Sequence, residues 1–103
     1  MRSIVIAHLD KARPALILSR PRLGGQMPTV TIAPITSTVR GLSSEVPLGP
    51  RNGLDHECVA SCDSITTIRA GAIGDTIGVL FDDQEADLAQ ALSDAFGLDL
   101  TRS

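Results

Sequence analysis

Residues 13–48, RPALILSRPRLGGQMPTVTIAPITSTVRGLSSEVPL, hold three short apolar runs separated by turn residues, and their reading decides the fold. The first run, PALILS (14–19), is apolar on both faces, as a strand with neighbours on either side is. The second, TVTIAPI (29–35), alternates Val30 and Ile32 with Thr29 and Thr31, the period of a strand with one buried face. LSSEVPL (42–48) reads as a further strand, with Pro47 favouring an edge position. Arg13 stands just before the first run, and Pro14 holds it in extended geometry. Thr36, Ser37 and Thr38 stand just after the second. If these strands are neighbours, a guanidinium and a row of hydroxyls meet at one edge of the sheet. Such an arrangement suits phosphate.

Outward from this stretch, Ser3 to Leu9 reads as a first strand with a very short connection to Arg13. Residues 20–28, RPRLGGQMP, are a loop by their prolines and Gly24-Gly25, where Arg20 and Arg22 either reach a phosphate backbone or keep the loop solvated. Arg40-Gly41 marks a turn, and Asn52-Gly53 in GPRNGL marks another. His56 to Ile68 reads as one extended run, with Cys58, Ala60 and Cys62 on one face. On such a strand the two cysteines lie about 13 Å apart, beyond the roughly 7 Å reach of a disulfide. His56, Cys58 and Cys62 extend over about 20 Å, too far to share a metal ion. No metal or cofactor is expected, and the cysteines read as reduced filler.

TIGVLF (76–81) reads as a closing strand, after which Asp82 opens the one helix. Asp82 and Glu85 have capping-box spacing, and Asp83 and Asp87 also suit a helix N-terminus. Leu88, Ala89, Leu92, Ala95 and Phe96 form its apolar face, with Gly97 as the stop. Its outer face is acidic, lacks basic partners and should be solvated. Six or so short strands and one helix predict a mainly β fold: a small antiparallel β-barrel with a C-terminal helix.

Composition narrows the function. A chain of 103 residues, 43% apolar and 20% charged, suits one globular domain. The net charge of −3 divides unevenly: residues 1–51 carry seven basic groups against Asp10 and Glu45, while residues 52–103 carry Arg69 and Arg102 against ten acids. This admits an anion-facing N-terminal half. All but one of the basic residues are arginine, which favours bidentate phosphate contacts. Phe81 and Phe96 are the only aromatics, so a base-stacking platform is excluded. There is no nucleophile elbow, phosphate-binding glycine loop or metal-ligand spacing. The first apolar run is too short for a signal peptide, and no stretch approaches the roughly 18 apolar residues of a membrane span; a cytoplasmic location without membrane contact is expected.

RPALILSR (13–20), VTIAPITST (30–38), RGLSSEVPLG (40–49) and VASCDSI (59–65) together closely resemble the MazF/PemK/Kid family of toxin endoribonucleases. The resemblance runs in order from about residue 4 to the C-terminal helix. It implies one toxin domain over residues 1–103, with an SH3-like barrel that pairs into a homodimer. It also implies metal-independent cleavage of single-stranded RNA and silencing by a cognate antitoxin. The family's catalytic Arg corresponds to Arg13, its second catalytic position to Thr36, and the acid–base Asp of some branches to Asp63. Those branches carry an Arg two residues before that Asp, where this chain has Ser61. Arg20, Ser37, Thr38, Arg40 and Ser61 are expected to hold the RNA. His56 has a suitable titration range but lies outside every matched motif.

Two other readings share the fold. Gyrase-poisoning CcdB-like toxins work through the C-terminal helix and have no use for a phosphate clamp; an RNA-binding module would keep the clamp without turnover. The antitoxin is expected to be a disordered acidic and apolar segment lying along the basic half and competing with RNA.

Overall fold

The computed structural model describes residues 1–20 and 28–98; the loop expectation for 21–27, Arg22 included, lies outside them. Among the described residues, seven strands form one antiparallel sheet: β1 (Arg2–His8), β2 (Ala12–Ile17), β3 (Thr29–Thr36), β4 (Glu45–Leu48), β5 (Cys58–Ser61), β6 (Thr66–Arg69) and β7 (Ile73–Leu80). One helix, α1 (Glu85–Phe96), follows. Strand order is β4-β5-β3-β2-β1-β7, with β6 also on β3. β2 is central, as its apolar run on both faces requires, and Pro47 lies on the edge strand β4. β3 pairs β2 along one side; along the other it pairs β6 through Thr29–Ile32 and β5 at Ile35–Thr36. Because β6 runs through a short turn into β7, and β7 pairs with β1, the sheet curls into a half-barrel. Among the described residues, no helix is long and apolar enough to cross a membrane.

Alternation along the strands sorts the core into two layers. Ile4, Leu16, Ala33, Ile35, Val46, Leu80, Leu88 and Ala91 form the main cluster between sheet and helix. Ala7, Ala15 and Ile32 form a second, against which Ile17, Val30, Ile68 and Ile73 pack.

The single extended run expected over His56–Ile68 is interrupted. Cys62–Ser64 form a 3₁₀ turn between β5 and β6. The cause is register: Ala60 pairs with Ile35 and Thr66 with Ile32, so six steps on one chain must match three on β3. The surplus residues leave the ladder, and the turn carries Asp63 outward.

The helix start also differs. Asp82–Gln84 form a 3₁₀ turn, and capping falls to Gln84, whose Oε1 accepts the Phe81 N–H at 3.0 Å. Asp82 instead meets the terminal amine at 3.0 Å, and Glu85 meets Arg2 at 2.7 Å. Asp83 meets Arg51 at 3.0 Å, and that guanidinium lies 4.6 Å over the Phe81 ring. The hydrogen bond from Arg51 holds the Asp83 carboxyl below its ordinary range. The acids at the helix start are therefore partnered, while Asp87 and Asp94 further along are exposed and have no basic partner among the described residues, as the sequence reading of a solvated acidic face expects. Leu88 and Ala91 are buried, but Ala89 is exposed and Phe96 is 58% exposed, so the apolar stripe is narrower than its sequence suggests. Gly97 ends the helix in a left-handed conformation.

The Asn52-Gly53 turn docks on β7. Gly53 has φ +91°, and a Cβ on Gly78 would stand 1.7 Å from the Asn52 carbonyl oxygen. The two glycines let the backbones touch. The Asn52 side chain, buried at 1% exposure, donates to Val79 O at 2.9 Å and Gln84 Oε1 at 2.7 Å, and accepts from Gly49 N at 3.1 Å. One amide thus ties the turn, the last closing strand and the helix start together.

Candidate active site

The β2–β3 ladder runs Ile17↔Ile32, Leu16↔Ala33 and Ala15↔Pro34. Pro14 and Pro34 offer no N–H to extend it. The same register carried two steps further sets Arg13 across from Thr36. Alternation puts both side chains on the face of Ala15 and Ile32. Arg13 is exposed, and no carboxylate pairs with it among the described residues. Thr36 is half-buried at the end of β3, and its Oγ1 accepts the Thr38 N–H at 3.1 Å. With that lone pair engaged, the Thr36 hydroxyl proton is free to donate outward.

Beside Thr36 opens a cleft of about 290 Å³, lined by Pro34, Thr36, Thr38, Arg40, Leu42, Glu45, Ser61, Asp63 and Ser64. Five of the expected residues thus converge: Thr36, Thr38, Arg40, Ser61 and Asp63. Ser44, buried at 6% exposure, donates from Oγ to Asp63 Oδ2, and its carbonyl accepts the Cys62 N–H at 3.0 Å. Ser44 thus holds both the Asp63 carboxylate and the start of the turn that displaced it from the strand.

Other expected residues stand apart. Ser37 is exposed on the loop after β3 and does not line the cleft. Arg20 lines a different cleft of about 400 Å³ with Arg2, Ser19, Asp82 and Glu85, at the far end of β2 from Arg13. His56 sits in an exposed turn with Nδ1 at 2.5 Å from Asp55 Oδ1, outside the cleft. The charge asymmetry is partly consumed within the fold, since Arg2 and Arg51 pair with acids of the C-terminal half. Ser44 and Glu45 escape sequence reading, because LSSEVPL offers only a strand; the turn signal at Arg40-Gly41 was the available hint.

Both cysteines are free and buried. Among the described residues, no group of three His, Cys, Asp or Glu could hold a metal ion. Burial, reinforced by the Asp63 charge, pushes the Cys62 thiol up to about 11. The folded state thus keeps a proton that the unfolded chain gives up at lower pH. This contribution to stability is fully present below the ordinary thiol value and is lost as pH rises towards about 11. The loss should be about 2–3 kcal/mol, read from urea midpoints at each pH, and Cys62→Ala should remove most of it.

The family described as PemK-like, MazF-like toxin of type II toxin-antitoxin system matches residues 3–96. The chain belongs to this family. As a MazF-like toxin it is similar to endoribonuclease MazF3 of Mycobacterium tuberculosis, 52% identical over 99 residues that span 96% of each chain. Among solved structures, Mycobacterium tuberculosis toxin MazF-mt6 superposes with a TM-score of 0.90 at 51% identity, covering 95% of this chain and 99% of that one. A mycobacterial endoribonuclease in complex with its cognate antitoxin superposes with a TM-score of 0.82 at 26% identity, covering 94% and 93%. In this fold Thr36 meets four other expected residues in the cleft, whereas Arg13, exposed near the start of β2, is not among the residues that line it.

Proposed function

We propose that this protein, a type II toxin–antitoxin endoribonuclease, cleaves single-stranded RNA at chosen sequences by attack of the substrate's own 2′-OH, without a metal. The observation that carries this reading is the cleft that gathers Thr36, Thr38, Arg40, Ser61 and Asp63. The β2–β3 register, continued two steps past its last pair, directs Arg13, which has no carboxylate partner among the described residues, toward its Thr36 end. The Arg13 fork grips two non-bridging phosphate oxygens and Thr36 donates to a third contact, so both stabilise the charge that grows on the phosphorane. The 2′-OH proton passes to Asp63 as the O2′–P bond forms. The P–O5′ bond breaks, and the leaving oxygen takes a proton from water in the open cleft. Thr38, Arg40 and Ser61, which line the cleft, hold the backbone in line; Ser37 meets it only from outside the cleft, and Arg20 meets only a strand long enough to pass its separate cleft.

The working unit in this reading is a cytoplasmic homodimer, silenced by a cognate antitoxin whose acidic, apolar segment competes with RNA near Arg13. The gyrase-poisoning reading is not favoured because it has no use for a phosphate clamp, and the non-catalytic reading is not favoured because the relative that is 52% identical over 96% of the chain is an endoribonuclease.

Single-turnover cleavage of Thr36 and Asp63 variants tests the roles. Thr36→Ala should slow the step about 10²–10³-fold, as loss of one transition-state donor does. Thr36→Ser should keep most of the rate. Asp63→Asn should cost about 10²–10⁴-fold if it moves the proton. An unimpaired Asp63→Asn enzyme would remove Asp63 from the mechanism, and an unimpaired Thr36→Ala enzyme would remove the donor.

A further inference from the structure

Glu45 turns its carboxylate onto its own loop. Its Oε1 accepts from the backbone N–H groups of Arg40 at 3.2 Å, Gly41 at 2.9 Å and Leu42 at 3.1 Å. Its Oε2 takes the Arg40 N–H at 3.3 Å. The Glu45 N–H in turn donates to the Leu42 carbonyl at 3.1 Å, closing the loop onto the start of β4. Gly41, at φ +74°, supplies the left-handed step that lets three successive amides converge on one oxygen. Such an arc is an anion receptor, here filled by the chain's own carboxylate. Residues 37–43 are exposed and belong to no strand or helix, so little else holds them. Charge-assisted bonds of this kind are strong enough to do so. Arg40, at the head of the arc, lines the cleft, and its guanidinium has no carboxylate partner among the described residues.

We propose that Glu45 is a positioning residue for RNA: it fixes the Arg40–Leu42 arc so that the Arg40 guanidinium meets a phosphate of the strand in the cleft. The inference rests on the cleft being the RNA site. Because the amide arc is already filled, an RNA phosphate finds no vacant backbone donors there and must be held by the Arg40 side chain. Glu45 therefore acts through Arg40, and removing both should cost no more than removing either.

The test is a double-mutant cycle on affinity, read by fluorescence anisotropy. The probe is an oligoribonucleotide spanning a mapped cleavage site, with one 2′-deoxy substitution at the scissile nucleotide to block turnover. Glu45→Ala and Arg40→Ala should each weaken binding about tenfold or more, and the double variant should be no weaker than the weaker single. Glu45→Gln should recover most of the affinity, since its Oε1 accepts the same three N–H bonds. Wild-type affinity in folded Glu45→Ala, or losses that multiply in the double variant, would overturn the proposal. Should Glu45→Ala fail to fold, Gly41→Ala opens the same arc from the backbone side and must show the same non-additive loss. Full cleavage by Arg13→Ala would remove the site reading itself, whereas Arg13-dependent cleavage with multiplying Glu45 and Arg40 losses sinks this inference alone.

Discussion

Arg13→Ala should reduce RNA cleavage by about 10³-fold or more, the range over which a single arginine stabilises phosphoryl transfer, while leaving the fold intact. The side chain is exposed on β2 with no carboxylate partner among the described residues, so its removal strands no buried group. Exposed substitutions of this kind change stability by roughly 0.5 kcal/mol or less. Arg13→Lys restores the charge but not the planar fork, and should recover only a minor part of the rate. The measurement is single-turnover cleavage alongside thermal unfolding of each variant. A folded Arg13→Ala protein that cleaves at the wild-type rate would remove the phosphate clamp.

The largest effect on stability should come from Asn52→Ala. Its side chain makes four hydrogen bonds from a fully buried position, donating to Val79 O and Gln84 Oε1 and accepting from Gly49 N and Gln84 Nε2. Truncation leaves the Val79 carbonyl and Gly49 N–H without their partner and opens a void where turn, strand and helix start meet. Each buried group left unsatisfied costs about 1–3 kcal/mol, and a total near 3 kcal/mol should lower Tm by roughly 12–24 °C for a domain of this size. Asn52→Asp should fare no better, since it sets a carboxylate oxygen against Gln84 Oε1 and the Val79 carbonyl. A melting point within about 2 °C of wild type would mean that the amide is not the latch described.

What the sequence made legible is what strand periodicity controls. PALILS is apolar on both faces, and β2 lies between β1 and β3. Arg13 and Thr36 flank adjacent runs joined by one loop, and the antiparallel register of those runs, continued two steps past its last pair Ala15↔Pro34, points the two residues at each other. The cleft itself was less legible. Nothing local to LSSEVPL says that Ser44 will reach Asp63, because that contact exists only once β4 and β5 pair and surplus residues are expelled after Ser61. Residues 56–68 kept a strand composition throughout, and only the competing register of β5 and β6 on β3 breaks them. The helix start departs from its local pattern for a related reason. Asp82 has the spacing of a cap, but the buried Asn52 amide draws Gln84 into that role and frees the acids to pair with Arg2, Arg51 and the terminal amine. Charge alone groups Arg20 with the clamp, but it follows the far end of β2 and lines a separate cleft.

End mapping of the products after incubating the wild-type protein with long RNA in EDTA tests the central claim most directly. Attack by the 2′-OH makes the cleaved phosphate cyclic and leaves the downstream fragment with its own oxygen. The account predicts undiminished cleavage in the chelator, with 2′,3′-cyclic phosphate on every upstream fragment and 5′-hydroxyl on every downstream one. Fragments bearing 5′-phosphate, or cleavage abolished by EDTA and restored by a divalent cation, would contradict it.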